Sequence, residues 1–508
     1  MEENGIQEET DRFMTRRQEL FLTVISNLVL QAASAVCGFV LPPLIVGTFG
    51  SEMNGMVSSI AQFIAYLSLV EAGIGGAAVA ALYRPLAMND VGGRNSILSA
   101  AVRFYNRSGI LFTALVFVLA FLYPLIVGNQ VDRMQSALMV LVLGITGAAE
   151  FFLIGKYRVL LTADKKMYVI SAVQMLAVIM NTAVAAVMIK LGFGIIAVKL
   201  VSALVYLSRY VFLAFYVNKK YRNLDFYAEP DMQAVRQSKS VLVHQIGGIV
   251  VFNSPLVIIT LFCSLKDASV YTVYAMVFNA VNQLLGSFIN GMQSFFGELM
   301  VKDDLELTRK IFSRYETLFF TVEGWVYSMA YLLIMPFMRL YTSKMTDAEY
   351  IQPLLAALFV AVGVLNNLRQ PGNMLIGAVG HFQKTQYRSL MEAIINVVCS
   401  TVFTIIFGFI GVLFGGVCSY LYRTIDILMY TNRHILVNST AKSVSKIALF
   451  FLYFVLAVLV LKHIPVFIPS YLIWIIYALV YGVLLLIPLG VAKIIQVKFF
   501  CPRKFNRK

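Results

Sequence analysis

The chain is 508 residues long, 59% hydrophobic and 13% charged, whereas a soluble domain carries about 25% charged residues. So apolar a chain cannot hide its side chains in a water-facing globule, and lipid must solvate much of its surface. The formal net charge of +15 is concentrated in one set of connections between apolar runs, which is a topology signal and argues against nucleic acid.

Residues 1–19 are polar and mixed in charge. The first apolar run then continues beyond signal-peptide length with no small-residue cleavage site, so it is expected to be an uncleaved anchor. A span needs about 20 apolar residues to cross roughly 30 Å of hydrocarbon. Fourteen are predicted, at about 20–46, 53–82, 108–128, 135–161, 168–189, 195–217, 240–262, 269–299, 313–338, 351–379, 388–408, 411–432, 443–463 and 471–492. Runs this long without alternation are helices, because an open sheet edge cannot be satisfied in lipid. The fold class is therefore all-α and polytopic.

Lys and Arg in alternate connections and both termini outnumber those on the opposite side more than fourfold. Both termini are accordingly expected in the cytoplasm, in a multi-pass protein of a plasma membrane. Residues 206–219, YLSRYVFLAFYVNK, recur as 420–433, YLYRTIDILMYTNR. Pro43 and Pro255, Pro124 and Pro336, Asp90 and Asp303, and Asn181 and Asn396 recur at nearly the same offset. The predicted organisation is a cytoplasmic segment 1–19, an N-terminal lobe 20–217, a cytoplasmic linker 218–239, and a C-terminal lobe 240–432. Two further spans follow in 433–492, then a basic tail 493–508. Each lobe has six helices, and the two are parallel repeats related by pseudo-symmetry.

Three arginines fall well inside spans, away from their ends: Arg209 and Arg423, which are the repeat partners, and Arg369. An intramembrane cation is expensive and marks a functional site by default. Guanidinium matches phosphate as a bidentate donor, so these three are candidate pyrophosphate contacts. The competing reading is that they snorkel to the inner interface or neutralise acids. Tyr206 and Tyr420, beside the repeated arginines, are candidate sugar contacts.

The acids Glu71, Glu150, Glu323 and Asp426 are also intramembrane. Asp426, three residues after Arg423, is placed for an ion pair on one helix face. Glu71 and Glu323 are candidates for coupling to H+ or Na+. Gly73, Gly75 and Gly76 follow Glu71 at a spacing that suits close helix packing. Pro42, Pro43 and Pro255 should bend the first and seventh spans and are candidate gates. Five scattered cysteines and four separated histidines define neither a metal site nor a disulfide framework, and no catalytic motif implies an enzyme or a cofactor.

Leu41-Pro-Pro-Leu-Ile45, Glu71-Ala-Gly-Ile-Gly-Gly-Ala77, Leu82-Tyr-Arg-Pro-Leu86 with Asp90, Gly380-His-Phe-Gln-Lys-Thr-Gln386 and Gly411-Val-Leu-Phe-Gly415 resemble bacterial polysaccharide flippases of the Wzx type. These belong to the multidrug/oligosaccharidyl-lipid/polysaccharide exporter superfamily, which also holds the lipid II flippase and the MATE drug exporters. The resemblance covers about residues 18–435. It implies two six-helix lobes forming a V around a cationic cavity, with alternating access. The implied substrate is an undecaprenyl-pyrophosphate-linked oligosaccharide, a capsule or exopolysaccharide repeat unit, moved from the inner to the outer leaflet. A glycan polymerase or glycosyltransferase is an implied partner. Fourteen spans also suit the lipid II flippase, which is one alternative. A MATE-like cation/drug antiporter is another, disfavoured by three intramembrane arginines. A membrane glycan ligase or polymerase would need larger outer loops than this chain has.

Overall fold

Aspartates start several of the helices. Asp90, Asp132 and Asp304 each accept a hydrogen bond from the backbone N–H three residues on, at 2.9, 2.8 and 2.9 Å, satisfying donors that a helix N-terminus leaves free. The computed structural model describes residues 2–71, 74–221, 223–235, 239–301, 304–462 and 468–500. Gly73, Asp303 and the end of the basic tail, 501–508, lie outside them.

In chain order the helices are α1 (Glu2–Phe49), α2 (Ser51–Leu67), α3 (Ile74–Ala87), α4 (Val91–Val127), α5 (Arg133–Ala149), α6 (Gly155–Ala163), α7 (Met167–Lys190), α8 (Ile195–Lys220) and α9 (Lys239–Phe262). They continue with α10 (Leu265–Val301), α11 (Leu305–Tyr341), α12 (Pro353–Leu368), α13 (Gln370–Val379), α14 (Phe382–Phe407), α15 (Gly411–Tyr430), α16 (Ala441–Leu461) and α17 (Tyr471–Phe500). No strand occurs among the described residues.

Twelve stretches of the described residues are long and apolar enough to cross a membrane. One of them, Phe382–Ile435, is two helices, α14 and α15, that reverse at Gly408 with φ +68°. The 37-residue α10 is absent from the twelve; Asn279, Asn282 and Gln283 make its middle polar. Each of the fourteen predicted spans nevertheless falls on a helix or a broken helix pair. Large apolar side chains on α4 and α17 face outward, with Phe121 74% and Leu472 69% exposed, as lipid-facing surfaces require.

The chain forms two compact units, residues 1–276 and 277–508. In the first, α2, α4, α5 and α6 enclose Met56, Leu98, Phe112 and Tyr123, all fully buried. The segment expected to be a linker packs back onto this unit: Asn95 donates to the Asn223 carbonyl at 3.0 Å and Ser96 to that of Glu229 at 2.7 Å. Helix α9 joins it too. Thr260 donates to Ser59 at 2.8 Å, and Asn54 to Ser269 at the start of α10, also at 2.8 Å. Helices α1 and α9 continue through Pro42, Pro43 and Pro255.

In the second unit, α14 and α15 run antiparallel at very close range. A Cβ on Gly415 would lie 2.2 Å from the Ser400 amide nitrogen, and one on Gly411 would lie 2.0 Å from the Phe403 carbonyl oxygen. Glycine is what lets the two backbones meet. The same register brings Asn396 to Ser419 at 2.9 Å, and Glu392 opposite Arg423 one further step along.

Candidate functional site

Each unit contains a chain of alternating charges built around one copy of the repeated arginine. In the first unit the order is Glu71, Arg158, Glu150, Arg209. Arg158 donates to Glu71 and, at 2.8 Å, to the near oxygen of Glu150. The other oxygen of Glu150 accepts from Arg209 at 3.2 Å. Tyr105 closes one end by donating to Glu71 at 2.9 Å. At the other end Arg209 donates to Gln174, packs over the Tyr206 ring at 5.6 Å and donates to the Tyr206 carbonyl at 3.1 Å.

Local backbone geometry makes this chain possible. Glu150 and Arg158 are eight residues apart, which on a regular helix separates them by about 80° around the axis. A π-helical turn over Glu150–Ile154 absorbs one residue, which reduces that angle to about 20° and puts both side chains on one face. Glu71 is delivered separately, at the end of the 3-10 turn Ser68–Glu71 that follows α2.

In the second unit the chain has five members: Arg369, Glu392, Arg423, Asp426, Arg388. Glu392 on α14 accepts from Arg369 on one oxygen and meets Arg423 at 3.3 Å on the other. Asp426 accepts from Arg423 at 2.8 Å and from Arg388 on its second oxygen. Arg369 stands at the junction of α12 and α13, where it also donates to Asn366 at 2.9 Å and lies 4.6 Å over the Tyr420 ring. Arg388 lies over Tyr430 at 5.2 Å. Beside Arg369 a small cleft is lined by Glu316, Thr424, Thr431 and Asn432.

Charge and burial distinguish the two chains. The first holds two arginines and two carboxylates; the second holds three arginines and two carboxylates, so one positive charge is left over. Arg423 is 3% exposed, Arg369 13% and Arg209 17%, whereas Arg388, at one end of the second chain, and Arg158, between the two acids of the first, are 40% and 37% exposed. The three arginines singled out from the sequence are thus the more buried cations of the chains, each paired with at least one carboxylate. Arg158 and Arg388, not singled out from the sequence, are the members more open to solvent. Glu392, Tyr105 and Gln174 also escaped the sequence reading. Glu392 follows Arg388 by four residues, which hints at an intrahelical pair, yet each bonds across helices instead.

The remaining intramembrane acid, Glu323, is fully buried in α11 and neither of its oxygens has a hydrogen-bond partner among the described residues. No cluster of His, Cys, Asp or Glu among the described residues could hold a metal ion. Outside the spans, burial and the nearby charges of Lys384 and His434 push the His381 pKa below its ordinary value. Its Nδ1 lies 3.1 Å from the Tyr430 hydroxyl.

This architecture, many long apolar helices with charge chains inside them, defines a polytopic membrane protein of a transporter fold. Among solved structures it is similar to the lipid II flippase MurJ in an inward closed conformation, with TM-score 0.66, 13% identity, and coverage of 94% of this chain and 100% of that one. It is also similar to a multidrug resistance MATE family transporter of the MOP superfamily. Against the inward-facing form the TM-score is 0.58, with 15% identity over 81% of this chain and 98% of that one. Against an outward-facing form it is 0.53, with 15% identity over 83% and 96%. No protein-family model and no curated relative matches the chain. At these identities the likeness is one of fold.

Proposed function

We propose that the protein is a flippase that moves an undecaprenyl-pyrophosphate-linked oligosaccharide, a capsule or exopolysaccharide repeat unit, from the inner to the outer leaflet of a bacterial cytoplasmic membrane by alternating access. The observation that carries this reading is the unbalanced charge chain of the second unit. Its spare positive charge is available at Arg388, the more exposed end, while Asp426 and Glu392 hold the buried arginines in place.

A pyrophosphate arriving from the cytoplasmic leaflet, where the cation bias places the start of α14, meets Arg388 first. Guanidinium binds it through two parallel hydrogen bonds. Arg423 and Arg369 then share the anion through their remaining N–H donors while staying bonded to Asp426 and Glu392, so no carboxylate is left bare in hydrocarbon. Arg158 plays the corresponding part in the first unit, and Tyr206 and Tyr420 orient sugar. An inside-negative potential favours outward movement of the anion by about 2.3 kcal/mol per charge per 100 mV. The sequence repeat supports two six-span lobes, 20–217 and 240–432, with Pro42, Pro43 and Pro255 as hinges between states.

Lipid II is the second reading for the cargo, favoured by the similarity that spans 94% of this chain. It carries the same pyrophosphate, so the charge chain serves either. A cation/drug antiporter is less well supported, because its cargo would meet an excess of arginine. The test is flipping in reconstituted vesicles: Arg388→Ala should lose most translocation of a fluorescent polyprenyl-pyrophosphate oligosaccharide while inserting normally. Wild-type rates in that variant would remove Arg388 from the mechanism.

A further inference from the structure

Every intramembrane acid of the two charge chains has a cationic partner, and Glu316 has one in Lys446 at 2.8 Å. Glu323 has none among the described residues, although it is 0% exposed. It lies one turn before Tyr327 on the same face of α11. Tyr327 is itself fully buried and donates to Asn282 of α10 at 2.9 Å, while Asn367 of α12 donates to both of them. Next to Glu323, α16 closes tightly on α11: a Cβ on Gly324 would lie 3.2 Å from Phe450 and from Tyr453.

The charged groups that the packed elements bring to this part of the unit are engaged elsewhere. Lys446 of α16 is bonded to Glu316 and Ser313, and Arg369, between α12 and α13, to Glu392 and Asn366. Tyr327 from α11, Tyr420 from α15 and Tyr453 from α16 are other titratable groups nearby, and none bonds to the carboxyl. A carboxylate without donors is far costlier to bury than a neutral acid, so such a group takes a proton instead. Hard cations need several oxygen ligands, and no cluster of His, Cys, Asp or Glu among the described residues could hold one.

The geometry points to Glu323 as a proton-binding site, neutral in this conformation and ionised when α11 separates from its neighbours and water reaches it. It rests on the transport reading only for its use, which is to tie a change of conformation to uptake or release of one proton. The site requires nothing of the cargo.

The test uses the full chain in lipid nanodiscs without substrate, at neutral pH, by infrared difference spectroscopy. The wild type should show the C=O band of a protonated carboxylic acid, lost in Glu323→Gln and kept in Glu316→Gln. Glu323→Asp should shift the band, which preserves the assignment if the glutamine variant folds poorly. Hydrogen exchange of α11, corrected for intrinsic rate, should rise with pH in the wild type and stay flat in Glu323→Gln. A missing band, a pH profile shared by both proteins, or a response to sodium at fixed pH would overturn the proposal. If the band behaves as expected while the wild type flips no lipid-linked glycan, the proton site stands and the assigned cargo falls.

Discussion

Glu392 holds Arg423 at 3.3 Å from the neighbouring antiparallel helix, and with its other oxygen it holds Arg369. Two buried cations therefore share this one carboxylate. Glu392→Ala leaves Arg369 without an acid partner and Arg423 with Asp426 alone, and removing one partner of a buried pair costs about 3–5 kcal/mol. A large fall in thermal stability is expected in detergent, and Glu392→Gln, which keeps an acceptor, should fall less. Equal stability of Glu392→Ala and wild type would mean that Asp426 and Asn366 suffice.

The exposed end of the same chain should behave oppositely. The Arg388–Asp426 pair is half in solvent, and such pairs contribute about 0–1 kcal/mol. Asp426 also retains Arg423 when Arg388 is gone. Arg388→Ala should therefore melt close to the wild type while losing transport, separating binding from folding. Arg423→Ala should lose both.

The α14–α15 contact makes a sharp packing prediction. Gly415→Ala drives a methyl into the Ser400 backbone, and overpacking of this kind costs about 1–3 kcal/mol or more. Gly416→Ala meets only Val362 Cγ2, at 3.3 Å, and should be tolerated. Melting temperatures of the two variants should differ clearly, and equal values would contradict the close approach.

His381 gives a pH dependence. Its pKa is lowered in the folded protein, by burial first and by Lys384 and His434 second. The unfolded chain therefore binds the proton more readily, so the stability tied to neutral His381 is complete above the ordinary histidine pKa of about 6.5 and is lost as pH falls through the lower folded value. His381→Gln should flatten the part of the stability profile just below that pH. An unchanged profile would show that the ring gains nothing from staying neutral.

Much of this was legible in the sequence, for identifiable reasons. Hydropathy located each helix because lipid leaves the backbone no alternative to helix or barrel. The Tyr-Leu-x-Arg repeat marked the two arginines that anchor the charge chains, and the three-residue spacing of Arg423 and Asp426 gave their pairing directly. What stayed hidden depends on contacts between helices. Glu392 reaches Arg423 through the antiparallel register of α14 and α15, and Arg158 joins Glu150 only because a π-turn rotates the helix. No spacing rule on a regular helix brings residues eight apart together. The tenth predicted span breaks at Arg369, between α12 and α13, two residues before Pro371. Proline in the first and seventh spans did not interrupt either helix.

The most direct measurement is the initial rate at which purified protein in vesicles carries a fluorescent undecaprenyl-pyrophosphate oligosaccharide across the bilayer, compared with a neutral glycolipid of the same glycan. Faster movement of the pyrophosphate lipid than in protein-free vesicles, lost in Arg388→Ala and absent for the neutral lipid, is the expected result. Equal movement of both lipids, or none above the protein-free rate, would contradict an arginine chain that selects an anionic headgroup.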